Sequence, residues 1–496
     1  MKACASAKPR RGRHLLLILL ALLCLVAGVG LFQGKRIHEM VSAYRFAGQN
    51  KLPVEAPESA RLLQSAARDL LRTPGNLLAS TGRSSAARYK TIRGNDNWLL
   101  FPESLHSAIS PADFYQDSIP AILDFEQQIE SRGSSLLVVL LPAKWEIHPE
   151  CLGQSFLPDP SSPAHPRRAK LLESLRSAGV EVIDGFEVLA EERQKNPDTL
   201  FFYREDTHWS PRAAQAVARR IAARIGTRLS KSTEPLVSFE EGVIEIIGDL
   251  NTFLHPDIPL AELPRHAYPA RVSAGMPESS VDAEVLLLGD SYCFPELQTQ
   301  LGNIPRACGL PVQLSIELGQ PIQWITVAGG AAKGVRLELA SRLVEKPDLL
   351  DNKKQVVWVL GPLSFLYGAE SFPKVPLPTV PVGTSEIDPE SLWKVIEVSS
   401  MEKLSSAPYP DAFLAVQFEN ASGDRVVGYL RVLKNRKLVA GLPPRSGSYV
   451  LLDSVAWNET PEELRQIHRL ETFEDYDSPR LLVKKITLSH ETFPPE

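Results

Sequence analysis

Val285-Leu286-Leu287-Leu288-Gly289-Asp290-Ser291 is an apolar run that ends at a glycine and passes directly to an acid and an alcohol. An apolar stretch without alternation suits a strand covered on both faces, and such strands occur in parallel sheets flanked by helices. Ligand sites in open α/β sheets lie beyond the carboxyl ends of the strands, which puts Asp290 and Ser291 where chemistry is done.

Upstream, Tyr203-Arg204-Glu205-Asp206-Thr207-His208-Trp209 leads into Ser210-Pro211, an N-cap followed by a first helical position. Ala214, Val217, Ala218, Ile221, Ala222 and Ile225 then form the apolar face of a helix. His208 therefore lies on a loop, close enough in sequence to Asp206 for the carboxylate to reach its ring. A serine hydroxyl is a poor nucleophile at neutral pH, so an imidazole must take its proton and a carboxylate must orient that imidazole. Ser291, His208 and Asp206 supply this set. Two other readings use the same residues. Gly-Asp-Ser after a strand is also a common turn in which Asp and Ser bond their own backbone. Asp206, His208 and Asp290 are in addition ligand types for a divalent metal, although no further His or Cys cluster completes such a site.

The surrounding pattern alternates apolar strands, expected at 136–141, 180–183, 285–288, 323–327 and 356–360, with helices at 111–131, 167–178, 211–225 and 335–344. This predicts an α/β domain with a mostly parallel sheet in three layers. A proline-rich run over 372–383 reads as a stiff linker. Beyond it, short aromatic and β-branched stretches at 393–398, 413–418, 426–432 and 449–452 predict a small β domain, sandwich or barrel. Tyr409, Tyr429 and Trp457 would stack on sugar rings if exposed, but aromatic residues of a β domain mostly form its core.

With 496 residues, 23% charged and a net charge of -5, the composition is that of an ordinary globular protein with room for two or three domains and no basic excess for nucleic acid. Lys2, Lys8, Arg10, Arg11 and Arg13 precede an uncharged apolar run over 15–32. The flanking cations place the amino end in the cytoplasm and the remainder across the membrane, a single-pass signal anchor in the inner (cell) membrane with the catalytic domain on the periplasmic or extracytoplasmic side. Ala27-Gly28-Val29-Gly30 offers a cleavage site as the alternative. Cys4 and Cys24 fall in this region, and Cys151, Cys293 and Cys308 beyond it, so no disulfide framework or zinc ribbon is indicated. Cys293 is read as a small buried residue or half of a bridge to Cys308. The organisation expected is a cytoplasmic tail and anchor at 1–36, a connector at 37–90, a catalytic domain at 91–370, a linker at 371–385 and a β-rich domain at 386–496.

The two motifs, in this order, resemble the SGNH-like domain of the alginate O-acetyltransferase family, the AlgX and AlgJ type. Ordinary SGNH esterases carry Gly-Asp-Ser early and Asp-x-His near the end, whereas here, as in that family, the order is reversed. Gly94-Asn95-Asp96-Asn97-Trp98-Leu99-Leu100-Phe101 resembles the family's Gly-x-Asp-Gly-Trp-Leu opening motif, with Asn97 where glycine is common. Pro142-Ala143-Lys144 follows the first strand and Gly329-Gly330-Ala331-Ala332 a later one, while Tyr292-Cys293 departs from the usual pattern. The likeness runs from about Gly94 to about Gly368.

The resemblance implies an SGNH-hydrolase-like three-layer fold, joined here to an N-terminal transmembrane helix and a small C-terminal β domain. It also implies transfer of acetyl groups to hydroxyls of an exported polysaccharide through an acetyl-serine. Ser291 would be the nucleophile, His208 the base and Asp206 its support, with no cofactor. The oxyanion would meet the Ser291 backbone N–H and one from Gly329 or Gly330, and Tyr203, Lys144 and Tyr292 would line the pocket. The implied partners are the polysaccharide acceptor and an acetyl donor delivered by a membrane-bound O-acyltransferase. The triad does not itself separate transfer from hydrolysis. A carbohydrate esterase, or a non-catalytic polysaccharide-binding subunit of an export complex, are the alternatives.

Overall fold

The computed structural model describes residues 58–72, 91–102, 104–105, 114–162, 165–230, 239–255, 258–273, 278–294, 307–365, 371–378, 392–400, 411–434, 437–439, 443–471, 473, 475 and 478–489. The apolar run over 15–32, Tyr409 and residues 379–385 of the expected linker lie outside the described residues. No helix among the described residues is long and apolar enough to cross a membrane.

Five strands, β1 (Ser135–Leu140), β2 (Glu181–Asp184), β3 (Val285–Gly289), β4 (Gln323–Thr326) and β5 (Gln355–Leu360), form one sheet in the order β2-β1-β5-β3-β4. Every pairing in it is parallel. Because β3 and β5 are buried at every position, both faces must be covered. One face carries α1 (Ile119–Glu130), α2 (Pro166–Ser177) and α7 (Ala331–Glu345), whose apolar residues join Val138, Leu286, Leu288 and Trp358 in a single core. The alternate residues, such as Leu137, Val139 and Leu287, are equally buried on the other face. There α3 (Gly185–Lys195), α4 (Pro211–Ile225) and α6 (Leu310–Leu318) pack on one another. The three-layer, parallel expectation is thus met.

Several elements differ from the sequence pattern. The helix expected over 111–131 breaks at Ser118, whose hydroxyl donates to the Tyr115 carbonyl, and restarts as α1 with Pro120 in its first turn. The helix Glu58–Arg72, within the stretch read as a connector, buries Leu63, Ala67 and Leu71, one turn apart, and packs on the turn Pro149–Leu152. A hairpin of Phe239–Ile246 with His266–Ser273, the short helix α5 (Asp249–Leu254), α3 and α6 were not signalled.

The C-terminal strands are β6 (Leu392–Val398), β7 (Ala412–Asn420), β8 (Arg425–Lys434), β9 (Tyr449–Ala456), β10 (His468–Leu470) and β11 (Arg480–Ser489). β6 pairs with β7, β7 with β8, β8 with β11, β11 with β9 and β9 with β6, so five strands close into a ring. The expected small β domain is a barrel. Trp393, Val395, Val416, Phe418, Leu481 and Val483 fill its interior. Outside, Phe413, Ala415, Val427 and Tyr429 of β7 and β8 pack under Trp457 and Phe473. Tyr429 and Trp457 are therefore core residues and present no face to a sugar.

Candidate active site

Ser291 follows β3, where Gly289 is required because a Cβ there would collide with the Cys293 side chain. Asp290 caps the single turn Ser291–Cys293 by accepting the Tyr292 N–H at 3.1 Å. This turn brings Ser291 Oγ to 2.8 Å from His208 Nε2. On the far side of the ring, His208 Nδ1 is 2.7 Å from Asp206 Oδ1, which also accepts the His208 backbone N–H at 2.9 Å. The sequence-adjacent dyad and the distant serine therefore converge, with Nδ1–H donating to the carboxylate and the Nε2 lone pair facing the hydroxyl.

A second acid, not recognised in the sequence, completes the arrangement. The Asp249 backbone N–H donates to Asp206 Oδ2 at 2.8 Å, and the Asp249 carboxylate accepts the Thr207 N–H at 2.8 Å and the Thr207 hydroxyl at 2.5 Å. Asp249 thereby grips the residue between Asp206 and His208. Its approach needs Gly248, at φ 84°, where a Cβ would strike the Glu205 carbonyl. The only sequence sign was a Gly-Asp pair ahead of a short apolar helix. Asp206, His208 and Asp249 have ligand atoms within 4.8 Å of one another, a spacing compatible with a cation among the described residues. Their facing atoms are instead engaged with each other and with Thr207, while Asp290 points to the Tyr292 N–H, so the donor set reads as an orienting network.

Burial opposes charge on His208, yet the Asp206 carboxylate, its hydrogen bond and the nearby Asp249 and Asp290 hold the imidazole above its ordinary pKa of 6.5. Asp206, although buried, is held below the usual carboxylate range by His208 and by the two backbone N–H groups. Burial, followed by repulsion from Asp206, pushes Asp249 up to about 6, and burial does the same to Asp290.

The other pocket candidates divide. Tyr292 is at the site: its ring centroid lies 5.0 Å from that of His208, its hydroxyl donates to the Thr207 carbonyl at 2.7 Å, and its own carbonyl accepts Trp209 Nε1 at 3.0 Å. The nucleophile loop and the histidine loop are thus joined through Tyr292. Lys144 lines a small cavity together with Thr207 and Tyr292, and it also acts as a clamp. Its buried ammonium donates to the Leu99 carbonyl at 2.8 Å and the Asp206 carbonyl at 2.6 Å, and burial lowers it to about 8. Tyr203 is fully buried against Tyr268, with no hydrogen-bond partner for its hydroxyl among the described residues. Gly330 donates its N–H to the Val327 carbonyl at 3.0 Å and so cannot also serve an oxyanion, which leaves Gly329 of that pair. Cys151, Cys293 and Cys308 are buried and no disulfide joins them, so the bridge from Cys293 is not formed.

The opening motif backs the histidine loop and the helix that carries Asp249. Leu99 N–H donates to the Arg204 carbonyl at 2.9 Å, and Leu99 and Phe101 pack against Leu250 and Phe253 of α5.

A parallel three-layer sheet with a serine at the end of one strand, facing a histidine on a neighbouring loop, defines an SGNH-hydrolase-like domain. The chain belongs to the family described as SGNH hydrolase-like domain, acetyltransferase AlgX, whose model matches residues 91–359. Among similar proteins, the probable alginate O-acetylase AlgJ of Pseudomonas aeruginosa is 31% identical over 134 residues, 27% of this chain and 32% of that protein. AlgJ of Pseudomonas fluorescens is 26% identical over 235 residues, 45% and 58% of the two chains. The chain thus spans about a third to under two thirds of these relatives' length. The solved O-acetyltransferase domain of Pseudomonas putida AlgJ aligns at 20% identity and a TM-score of 0.43, over 60% of this chain and 96% of that one.

Proposed function

We propose that this chain transfers acetyl groups to hydroxyls of an exported polysaccharide through an acetyl-Ser291 intermediate. The observation that carries the reading is the 2.8 Å approach of Ser291 Oγ to His208 Nε2 with Asp206 bonded to the opposite nitrogen. His208 takes the Ser291 proton as Oγ attacks the acetyl carbonyl of the donor, and the same proton is given to the departing group. A sugar hydroxyl then loses its proton to His208 and attacks the acetyl-serine; Ser291 leaves with that proton. The oxyanion of each tetrahedral stage meets the Ser291 backbone N–H and that of Gly329, neither of which is spent on a backbone carbonyl among the described residues. Asp249 holds Asp206 and Thr207 so that the imidazole keeps one orientation throughout.

The family's description as an acetyltransferase and the relatives' names as alginate O-acetylases favour transfer over hydrolysis and a glycan as acceptor. The apolar run over 15–32 with its flanking cations favours an anchor in the inner membrane, the catalytic domain outside, and delivery of acetyl groups by a membrane-bound O-acyltransferase. The test is incubation of the purified protein with an activated acetyl ester and candidate oligosaccharides, followed by mass spectrometry. A mass gain of one acetyl group on the sugar, lost in Ser291→Ala, supports the reading. Release of acetate without sugar modification makes the protein an esterase, and activity retained in Ser291→Ala removes the serine from the mechanism.

A further inference from the structure

The chain from Trp457 to Phe473 leaves β9, crosses the outer face of β7 and β8, and meets the catalytic domain along its length. In the OB-fold, one kind of five-stranded barrel, the face of the second and third strands takes ligands, but here the outer face of β7 and β8 is covered. Glu338 of α7, fully buried, accepts Trp457 Nε1 at 3.2 Å, Arg465 Nε at 3.1 Å and Arg469 Nη1 at 2.8 Å. Lys333, in the first turns of the same helix, donates to the Glu471 carbonyl at 3.1 Å.

The turn that precedes α7 is held more directly. Ala328 N–H donates to the Gln466 carbonyl at 2.8 Å, and His468 Nδ1 donates to the Ala328 carbonyl at 3.0 Å. The same ring makes a backbone hydrogen bond at Gly329. On its other side this turn touches the nucleophile loop: Val327 N–H donates to the Gly289 carbonyl at 3.1 Å, and Phe294 packs on Ala328. Within it Gly329 has φ 58° and Ala331, which carries a Cβ, φ 43°. Backbone of that kind persists only where its surroundings over-determine it.

We propose that the C-terminal barrel is a positioning element of the reaction: through Gln466 and His468 it fixes the Ala328–Ala331 turn beside the Ser291 loop, and the outer face of β7 and β8 is used for this attachment. The proposal rests on Ser291 being the nucleophile. Loss of the clamp lets the turn relax, which moves a donor flanking the serine while the donor ester still binds. Misplacement by about 1 Å costs on the order of a hundredfold in rate.

The experiment measures acylation of the full chain by an activated aryl acetate in His468→Ala, His468→Asn and Ser291→Ala. An Asn amide N–H replaces the Nδ1–H donor. His468→Ala is expected to lower kcat about tenfold or more with KM changed less than about twofold, and His468→Asn to restore most of the rate. Wild-type turnover in His468→Ala overturns the proposal. So does an equal loss in the Ala and Asn variants, which would mean bulk packing only. Should His468→Ala not fold, Lys333→Met loosens the same junction from the helix side; an unchanged kcat there also counts against it. Full activity in Ser291→Ala would instead overturn the reading of the site.

Discussion

In the proposed mechanism residue 208 sets the pH behaviour. As the base it must be neutral to accept the serine proton, and its pKa is raised above 6.5, chiefly by Asp206 working against burial. The rate is therefore expected to rise with pH along an acid limb lying above 6.5, as a pH–rate profile will measure. For stability the sign is the reverse. The raised pKa contributes fully below the unfolded imidazole value, and that contribution is lost as pH climbs through the folded one. Asp206→Asn removes the main raising cause, so the acid limb moves down while kcat falls by about three to four orders of magnitude. Asp249→Ala, which frees Thr207 yet leaves the triad in place, is expected to lower kcat by about tenfold to a hundredfold in the same assay. Ser291, His208 and Asp206 were legible because each lies in a short motif beside a strand or helix boundary. Asp249 was not, since it stands 43 residues from Asp206 and only the fold joins them.

Among elements, the buried parallel strands were the clearest, because uninterrupted apolar runs admit few other readings. The hairpin Phe239–Ile246 with His266–Ser273 escaped notice because Glu240, Glu241 and Glu245 dilute its pattern and Pro269 interrupts its partner strand. The opening motif was read correctly as a motif, but the reason for its family glycine emerges only from the backbone. Asp96 and Asn97 occupy φ 50° and 61° at the turn between the paired strands Ile92–Arg93 and Leu99–Leu100, a conformation that Gly and Asn tolerate. Asn97→Gly is expected to leave stability within about 0.5 kcal/mol, as for most surface changes. Asn97→Val is expected to cost about 1–2 kcal/mol by urea denaturation, because a β-branched side chain resists the left-handed region.

At the scale of the whole molecule, the proline-rich stretch suggests a stiff linker between the catalytic domain and the β domain, and the barrel is in addition bolted to the catalytic domain through a buried carboxylate. Arg342, Arg465 and Arg469 hold Glu338 well below the usual carboxylate range despite its burial. Arg342 stands one turn from Glu338 on the same helix, but a sequence offers no sign that Arg465 and Arg469, on separate elements, share that acid. Glu338→Gln leaves buried guanidinium groups without their counter-charge and is expected to destabilise the protein by about 3–5 kcal/mol in chemical denaturation, with both regions unfolding together.

The ring of strands carries an implication for biogenesis. β11 is inserted between β8 and β9, and it is the last of the barrel strands to be made. Until it arrives, β8 and β9 each present an unsatisfied hydrogen-bonding rim, a template for mispairing with other chains. A polypeptide cut short before Arg480 would thus retain every group of the serine–histidine pair and still be prone to aggregate, so the soundness of the whole chain depends on a strand that takes no part in the chemistry.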